Sequence, residues 1–180
     1  MKDQIKKHSK FLSLLLRHKP ETVGLKLDTQ GWADTSELLQ KINQTGRQIS
    51  LELLNKIVEE NDKKRFVFNE DKSRIRAAQG HSLKVDLNYK PIMPPDVLYH
   101  GTITKTVQLI KESGIKQMKR HQVHLSADIE TAKVVGARRG KPVVLIIDAH
   151  KMYLKGYNFF QSDNGVWLTN FVPSEYIQFP

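Results

Sequence analysis

Three prolines within five residues, Pro91 to Pro95, interrupt this chain near its middle. Proline has no backbone N–H and holds φ near one value, so the segment Asn88-Tyr89-Lys90-Pro91-Ile92-Met93-Pro94-Pro95 can continue neither a helix nor a central strand. The 180 residues therefore divide into 1–90 and 91–180, each long enough to bury a core of its own. Neither half contains an internal repeat or a low-complexity tract.

Before the break, helical periodicity dominates. Ile5, Leu12, Leu15 and Leu16 share one face of a helix over Ile5–His18 that Pro20 ends. Leu25-Lys26-Leu27 alternates briefly, and Thr29-Gln30-Gly31 reads as a turn. Asp34-Thr35-Ser36-Glu37 is a capping box that opens a helix through Ile42. Ser50 caps a further helix with Leu51, Leu54, Ile57 and Val58 on one side. Arg65–Phe68 and Arg74–Ala78 then read as two strands around Glu70-Asp71-Lys72-Ser73. Helices followed by a hairpin suggest a winged-helix-like lobe.

After the break the pattern is α+β. Val97–His100 reads as a strand, and Thr104–Ser113 as a helix stopped by Gly114. Gln122–Ser126 is a strand, followed by a helix from Ala127 to Val135 that Ser126 can cap. Pro142–Asp148 is apolar and β-branched, as a central strand is. Further strands are expected at Gly165–Thr169 and Tyr176–Phe179.

Composition narrows the chemistry. The chain has no cysteine, which removes disulfides, thiolate catalysis and sulfur-ligated zinc. Its seven histidines show no metal-ligand spacing, so no metal is expected. Met1–Lys10 is too polar for a signal peptide, and the run Phe11–Leu16 is too short to cross a bilayer. These features lead us to expect a soluble, cytoplasmic protein, and nothing in the sequence demands more than a monomer. The net charge of +10 is shared, with +6 in residues 1–90 and +4 in 91–180, which favours a phosphate-rich partner.

Five groups of residues could carry chemistry. Arg17-His18 closes the first helix, where two cations complement the helix dipole or meet an anionic ligand. Asn61-Asp62-Lys63-Lys64-Arg65-Phe66 puts three cations at a strand entrance, and Arg65 is the one whose direction the sheet fixes. Gln79-Gly80-His81-Ser82 leaves the hairpin with polar groups, and Gly80 permits a special backbone angle or a close ligand. His100-Gly101-Thr102 ends a strand with an imidazole, a glycine and a hydroxyl, and His124 and Ser126 lie in and after the next. Gly136-Ala137-Arg138-Arg139-Gly140 is a cationic loop between glycines that suits an anion such as pyrophosphate. There is no dinucleotide-fold glycine fingerprint, no P-loop and no paired-carboxylate site.

In order and spacing, these blocks resemble the NAD-dependent RNA 2′-phosphotransferases, enzymes that act on tRNA 2′-phosphates in fungi. The likeness runs nearly end to end. It starts at Ser9-Lys10 and Leu14-Leu15-Leu16-Arg17-His18 and continues through the 61–66 block and Arg76-Ala77-Ala78-Gln79-Gly80-His81-Ser82. It takes in Leu98–Thr102, His124-Leu125-Ser126 and Val135–Gly140, and ends at Asn164-Gly165-Val166-Trp167-Leu168-Thr169.

The resemblance implies an N-terminal winged-helix-like lobe that handles RNA and a C-terminal ADP-ribosyltransferase-like lobe that holds NAD⁺, consumed as co-substrate. It implies a catalytic set of Arg17, His18, Arg65 and Arg120, the last with Lys119 and His121 as neighbours. NAD⁺ would be bound by His100, Gly101, Thr102, His124, Ser126, Gly136, Arg138, Arg139 and Gly140, and RNA by Lys64, Gln79 and His81.

The family's reaction has two steps. A 2′-phosphate oxygen displaces nicotinamide from NAD⁺, and the 2″-hydroxyl then displaces the RNA oxygen from phosphorus. The products are 2′-hydroxyl RNA and ADP-ribose 1″,2″-cyclic phosphate. Related transferases carry a late catalytic glutamate, whereas the corresponding strand here reads Gly165-Val166-Trp167, which fits a nucleophile that is already anionic. His18 serves either as a phosphate donor or as the acid for the departing RNA oxygen.

Two other readings predict different behaviour. One is ADP-ribosylation of terminal nucleic-acid phosphates, which stops after the first step. The other is a non-enzymatic winged-helix regulator of duplex DNA, although cationic motifs recurring in both halves argue against a single recognition helix.

Overall fold

A computed structural model of the protein describes residues 2–61, 63–118 and 120–180. Asp62 and Lys119, which belong to the motifs above, lie outside the described residues, as do Met1 and the side chains of Lys2 and Asp3. The chain forms two compact units, Met1–Asn88 and Tyr89–Pro180, divided within the proline-rich segment. The architecture is α+β, and every strand pair among the described residues is antiparallel. No helix among them is long and apolar enough to cross a membrane.

The first unit runs α1 (Lys2–Arg17), β1 (Ala33–Asp34), α2 (Thr35–Gln44), α3 (Leu51–Glu59), β2 (Phe66–Phe68) and β3 (Arg74–Ala77). Leu12, Leu15 and Leu16 are fully buried against Leu38, Ile42 and Leu54, which fixes the rotation of α1 about its axis. Both expected caps form. Asp34 Oδ1 accepts from Glu37 N at 2.7 Å, and Ser50 Oγ from Leu53 N at 3.1 Å. β3 is central, between β1 and β2.

Leu25–Leu27 forms no strand; a 3₁₀ turn at Pro20–Val23 precedes it. The short strand lies later, at Ala33–Asp34, because Asp28 Oδ1 accepts from both Gln30 N and Trp32 N at 2.9 Å and folds the 29–31 turn around itself.

The second unit runs β4 (Val97–Ile103), α4 (Thr104–Ser113), β5 (Ile115–Lys116), β6 (Val123–Leu125), α5 (Ile129–Gly136), β7 (Pro142–Asp148), α6 (Ala149–Leu154), β8 (Phe159–Gln161), β9 (Trp167–Thr169), β10 (Phe171–Val172) and β11 (Ile177–Gln178). β7 is central in the order β11-β7-β4, as its apolar sequence requires. A second sheet has the order β6-β9-β8, and β10 pairs with β5. Tyr99 and Ser126 exchange backbone hydrogen bonds of 2.9 and 2.8 Å and so join β4 to β6. Leu98, Leu145, Ile147, Phe159 and Trp167 lie in the core.

The second unit departs from the sequence expectation at two places. First, β4 does not end at His100. Gly101 and Thr102 continue the ladder opposite Val144 and Val143. Gly101 is there because α5 packs directly on the strand: a Cβ at this position would lie 1.8 Å from Ala132 O. Gly136 answers it from the helix, where a Cβ would lie 2.6 Å from Thr102 O.

Second, α5 is capped by Asp128 and not by Ser126. Asp128 Oδ1 accepts from Thr131 N at 2.7 Å, and that bond is the main reason its carboxyl titrates below the usual aspartate range. Ser126 is instead committed to β4 through its backbone. Asp128→Ala should therefore cost about 1 kcal/mol. Ser126→Ala should stay within about 0.5 kcal/mol. Urea unfolding of the two variants makes the comparison directly.

Candidate functional site

In the first unit three separate pieces of chain meet at the end of α1. Ser82 N donates to Arg17 O, and Ala78 N to Arg65 O, both at 2.9 Å, so the exit from β3 is tied to both arginines. Arg17 Nη2 donates to Arg65 O at 3.4 Å. Arg65 Nη1 donates to Asn61 Oδ1 at 3.2 Å, and Asn61 Nδ2 donates to Ser9 Oγ on α1 at 3.1 Å. The two guanidinium groups are thus held half-buried at the edge of the core. His18 is exposed, and its Nδ1 bonds Ser82 Oγ at 2.9 Å. In either tautomer this bond occupies Nδ1, so any ligand chemistry of the ring runs through Nε2.

The three proposed RNA contacts are placed differently from one another. Lys64 is exposed and adopts a left-handed φ of 39°, with its N–H donating to Asn61 O at 2.7 Å. Gln79 is half-buried, and Gly80 takes the positive φ of 85° that its identity allows. His81 is only 3% exposed; its Nε2 lies where a Cβ on Gly31 would come within 3.3 Å, so its ring packs inside the unit.

In the second unit the Tyr99–Ser126 pairing brings His100 to His124. His100 Nδ1 donates to His124 O at 3.1 Å, which places the ring proton on Nδ1 and leaves Nε2 as the acceptor of the neutral ring. Burial holds its pKa below the ordinary histidine value, and the nearby Arg139 charge adds to this, against the opposing effect of the carbonyl bond. The Thr102 hydroxyl is oriented too. Thr106 Oγ1 donates to Ile103 O at 2.8 Å, so it must accept from Thr102 Oγ1 at 2.6 Å. Thr102 Oγ1 is left with lone pairs, which suits an incoming hydroxyl donor.

Arg120 Nη1 donates to His124 Nδ1. A guanidinium cannot accept, so Nδ1 carries the lone pair of that ring. Arg120 is exposed as a residue, yet desolvation of its guanidinium, then the charges of Arg139 and Arg138, push its pKa down, although the group stays a cation. Three guanidinium groups therefore share one field without neutralising each other, an arrangement that an anion relieves. Arg138, Arg139 and Gly140 are exposed, whereas Gly101 and Gly136 are occupied by the contact of β4 with α5. β9 lies beside β6 with Leu168 opposite His124, and its residues Trp167-Leu168-Thr169 include no carboxylate. Among the described residues no cluster of three or more His, Asp or Glu could hold a metal.

Sequence reasoning passed over Ser9, Asn61 and Ser82 as members of these clusters, and Thr106 behind Thr102. The first three stand inside the recognised blocks, and their polarity beside a core helix or a cationic strand entrance was the available signal. Thr106 carried none.

Two desolvated histidines give a pH test. His100 in the second unit and His8 in the first both have pKa values lowered chiefly by desolvation. Above the unfolded value of about 6.5 both states are neutral and nothing changes. Below it the unfolded chain takes up protons that the folded state refuses, so stability falls until the lower folded pKa is reached. Thermal melts should show Tm declining as pH drops below about 6.5, and His100→Gln should flatten part of that decline.

Fold and geometry together define a two-unit α+β protein with clustered guanidinium groups oriented by histidine, serine and asparagine. The family model described as RNA 2'-phosphotransferase, Tpt1 / KptA family, matches residues 3–171, and the chain belongs to that family. It is 57% identical over 174 residues to a probable RNA 2'-phosphotransferase of Fusobacterium nucleatum subsp. nucleatum, covering 96% of this chain and 97% of that protein. A protein of the same description from Burkholderia pseudomallei is 55% identical, over 96% and 94% of the two chains. One from Rhodopirellula baltica is 48% identical, over 98% and 97%.

Proposed function

We propose that the protein moves an internal RNA 2′-phosphate onto NAD⁺, leaving 2′-hydroxyl RNA and ADP-ribose 1″,2″-cyclic phosphate. The observation that carries this reading is that one family match, residues 3–171, contains both guanidinium clusters. The element order α1-β1-α2-α3-β2-β3 of the first unit supports a winged-helix lobe for RNA. The joined sheets of the second support an ADP-ribosyltransferase-like lobe for NAD⁺.

In the first step a 2′-phosphate oxygen forms a bond to C1″ of the nicotinamide ribose while the C1″–N bond breaks and neutral nicotinamide departs. The phosphate is already ionised near neutral pH, so this step needs no strong general base. In the second step the 2″-oxygen bonds to phosphorus and the RNA 2′-oxygen leaves. The proton lost by the 2″-hydroxyl is balanced by the one gained at the 2′-oxygen. Arg17 and Arg65 hold phosphate oxygens and offset charge as it builds, and Arg120 answers anionic charge in the second unit. His18, anchored through Nδ1 to Ser82, protonates the leaving oxygen from Nε2. His100 Nε2 and Thr102 Oγ1 accept from ribose hydroxyls of NAD⁺, while Arg138 and Arg139 face its pyrophosphate. Lys64 and Gln79 contact RNA beside the phosphate. Guanidinium charge does the neutralising in this scheme, with no metal taking part.

The test is incubation with NAD⁺ and an internally 2′-phosphorylated oligonucleotide in the presence of a chelator. Nicotinamide should be released one for one with dephosphorylated RNA. Release without loss of phosphate from RNA would leave only an ADP-ribosyltransferase. No release at all would remove NAD⁺ from the reaction.

A further inference from the structure

The outer face of α1 leads up to Arg17 with residues that the reaction does not use. Positions 6, 10, 13 and 17 follow each other at helical offsets of four, three and four, so Lys6, Lys10, Ser13 and Arg17 lie in one line along the helix. Lys6 and Lys10 are exposed, and Ser13 and Arg17 half-buried. The line spans roughly 16 Å at the α-helical rise. It borders Ser9, which bonds Asn61 and through it Arg65, so it runs along the side of α1 that carries the guanidinium cluster.

Helix stability does not explain this placement. Cations favour the last turn of a helix, where Arg17 stands, but Lys6 and Lys10 lie before that turn and gain nothing from the dipole. Among the described residues neither lysine has an acidic partner. A row of lysines that the helix does not require, and that no carboxylate among the described residues answers, is suited to an external polyanion.

We propose that Lys6 and Lys10 extend the Arg17 site along α1 as a track for the sugar–phosphate backbone, gripping RNA phosphates that flank the 2′-phosphorylated nucleotide without regard to sequence. This rests on the reading above that Arg17 holds the 2′-phosphate. Ser13 lies between the cations and donates inward to Ser9 O at 2.9 Å, which keeps the middle of the track low. The substrate class is thus RNA long enough to reach back along α1, and a minimal 2′-phosphorylated dinucleotide forgoes this grip.

The experiment compares two substrates, a 2′-phosphorylated dinucleotide and an oligonucleotide with several nucleotides on each side of the same phosphate. In wild type the longer substrate should have the lower KM. In Lys6→Glu/Lys10→Glu its KM should rise roughly 10- to 100-fold, with kcat and the dinucleotide KM unchanged within about two-fold. In Lys6→Ala/Lys10→Ala the slope of log kcat/KM against log salt should shrink by about 1.4, two single-strand phosphate contacts' worth. Equal losses on both substrates, or no loss on the longer one, would overturn the track, and the second result would leave the stripe to an acidic protein surface. If wild type turned over neither substrate, the proposed reaction would fail and not the track, which fluorescence anisotropy of the same RNA would still read through the charge-reversal variant.

Discussion

Arg65→Ala should fold like the wild type and lose about 100- to 1000-fold in kcat, with a smaller change in the KM for RNA. The fold should survive because the contacts that fix this position are mostly backbone. Arg65 O accepts from Arg17 Nη2 and from Ala78 N, and both bonds persist without the side chain. Asn61 Oδ1 loses one donor but keeps Lys63 N at 3.1 Å, so that buried acceptor is not orphaned. What disappears is a planar donor at the half-buried edge of the cluster, where a charge-assisted bond to phosphate is worth more than in water. The second step gathers charge on the phosphorus oxygens and should suffer at least as much as the first, so ADP-ribosylated RNA should accumulate in single-turnover reactions. Arg65→Lys should restore only part of the rate, because an ammonium cannot bridge two oxygens in a plane. Wild-type turnover by Arg65→Ala would remove this residue from the chemistry.

Gly101→Ala should be the most damaging methyl group that can be added to the second unit. Its Cβ would fall 1.8 Å from Ala132 O, 2.7 Å from Ala132 C and 2.9 Å from Gly136 N, all backbone atoms of α5. No rotamer change can relieve that overlap; the helix must move off β4, and Gly136 on its other side shows how closely the two are fitted. We expect a loss of about 3 kcal/mol or more. For a unit of this size that is a drop in Tm of roughly 10–20 °C. Gly46→Ala is the comparison. A Cβ there meets nothing within 4 Å, and only the left-handed φ of 81° opposes it. Its cost should stay near the conformational penalty of about 1–2 kcal/mol. Calorimetry separates the two effects, and equal losses would show that backbone conformation and not close packing explains Gly101.

The contrast between these glycines also shows what the sequence could and could not reveal. Where a single local interaction decides the structure, it was legible: the Asp34 and Ser50 caps, the stop at Gly114, and β7 as a buried central strand all follow from neighbouring residues. Gly101 looked like punctuation after a strand, because the helix that demands a glycine there lies about thirty residues later and is invisible to a local reading. Ser126 looked like a cap for the same reason; its commitment to Tyr99 is a long-range pairing, and Asp128 two residues on is the better acceptor. The six-residue α6 was missed, although Asp148 three residues before Lys151 is its cap signal.

The candidate site divides along the same line. Arg17, His18, Arg65 and Arg120 stood out by charge and by motif. The groups that orient them were harder to see, since Asn61, Ser82 and the His124 ring act through contacts made only once distant segments have folded together. His81 shows the reverse: polar and next to a glycine, it read as a surface contact, yet its ring is enclosed.

The fate of one phosphorus atom tests the proposed reaction most directly. RNA carrying an isotopically labelled 2′-phosphate, incubated with NAD⁺ and the protein, should pass its label first to an ADP-ribosylated RNA and then wholly to ADP-ribose 1″,2″-cyclic phosphate. Label recovered as inorganic phosphate, or remaining on RNA while nicotinamide is released, would contradict it.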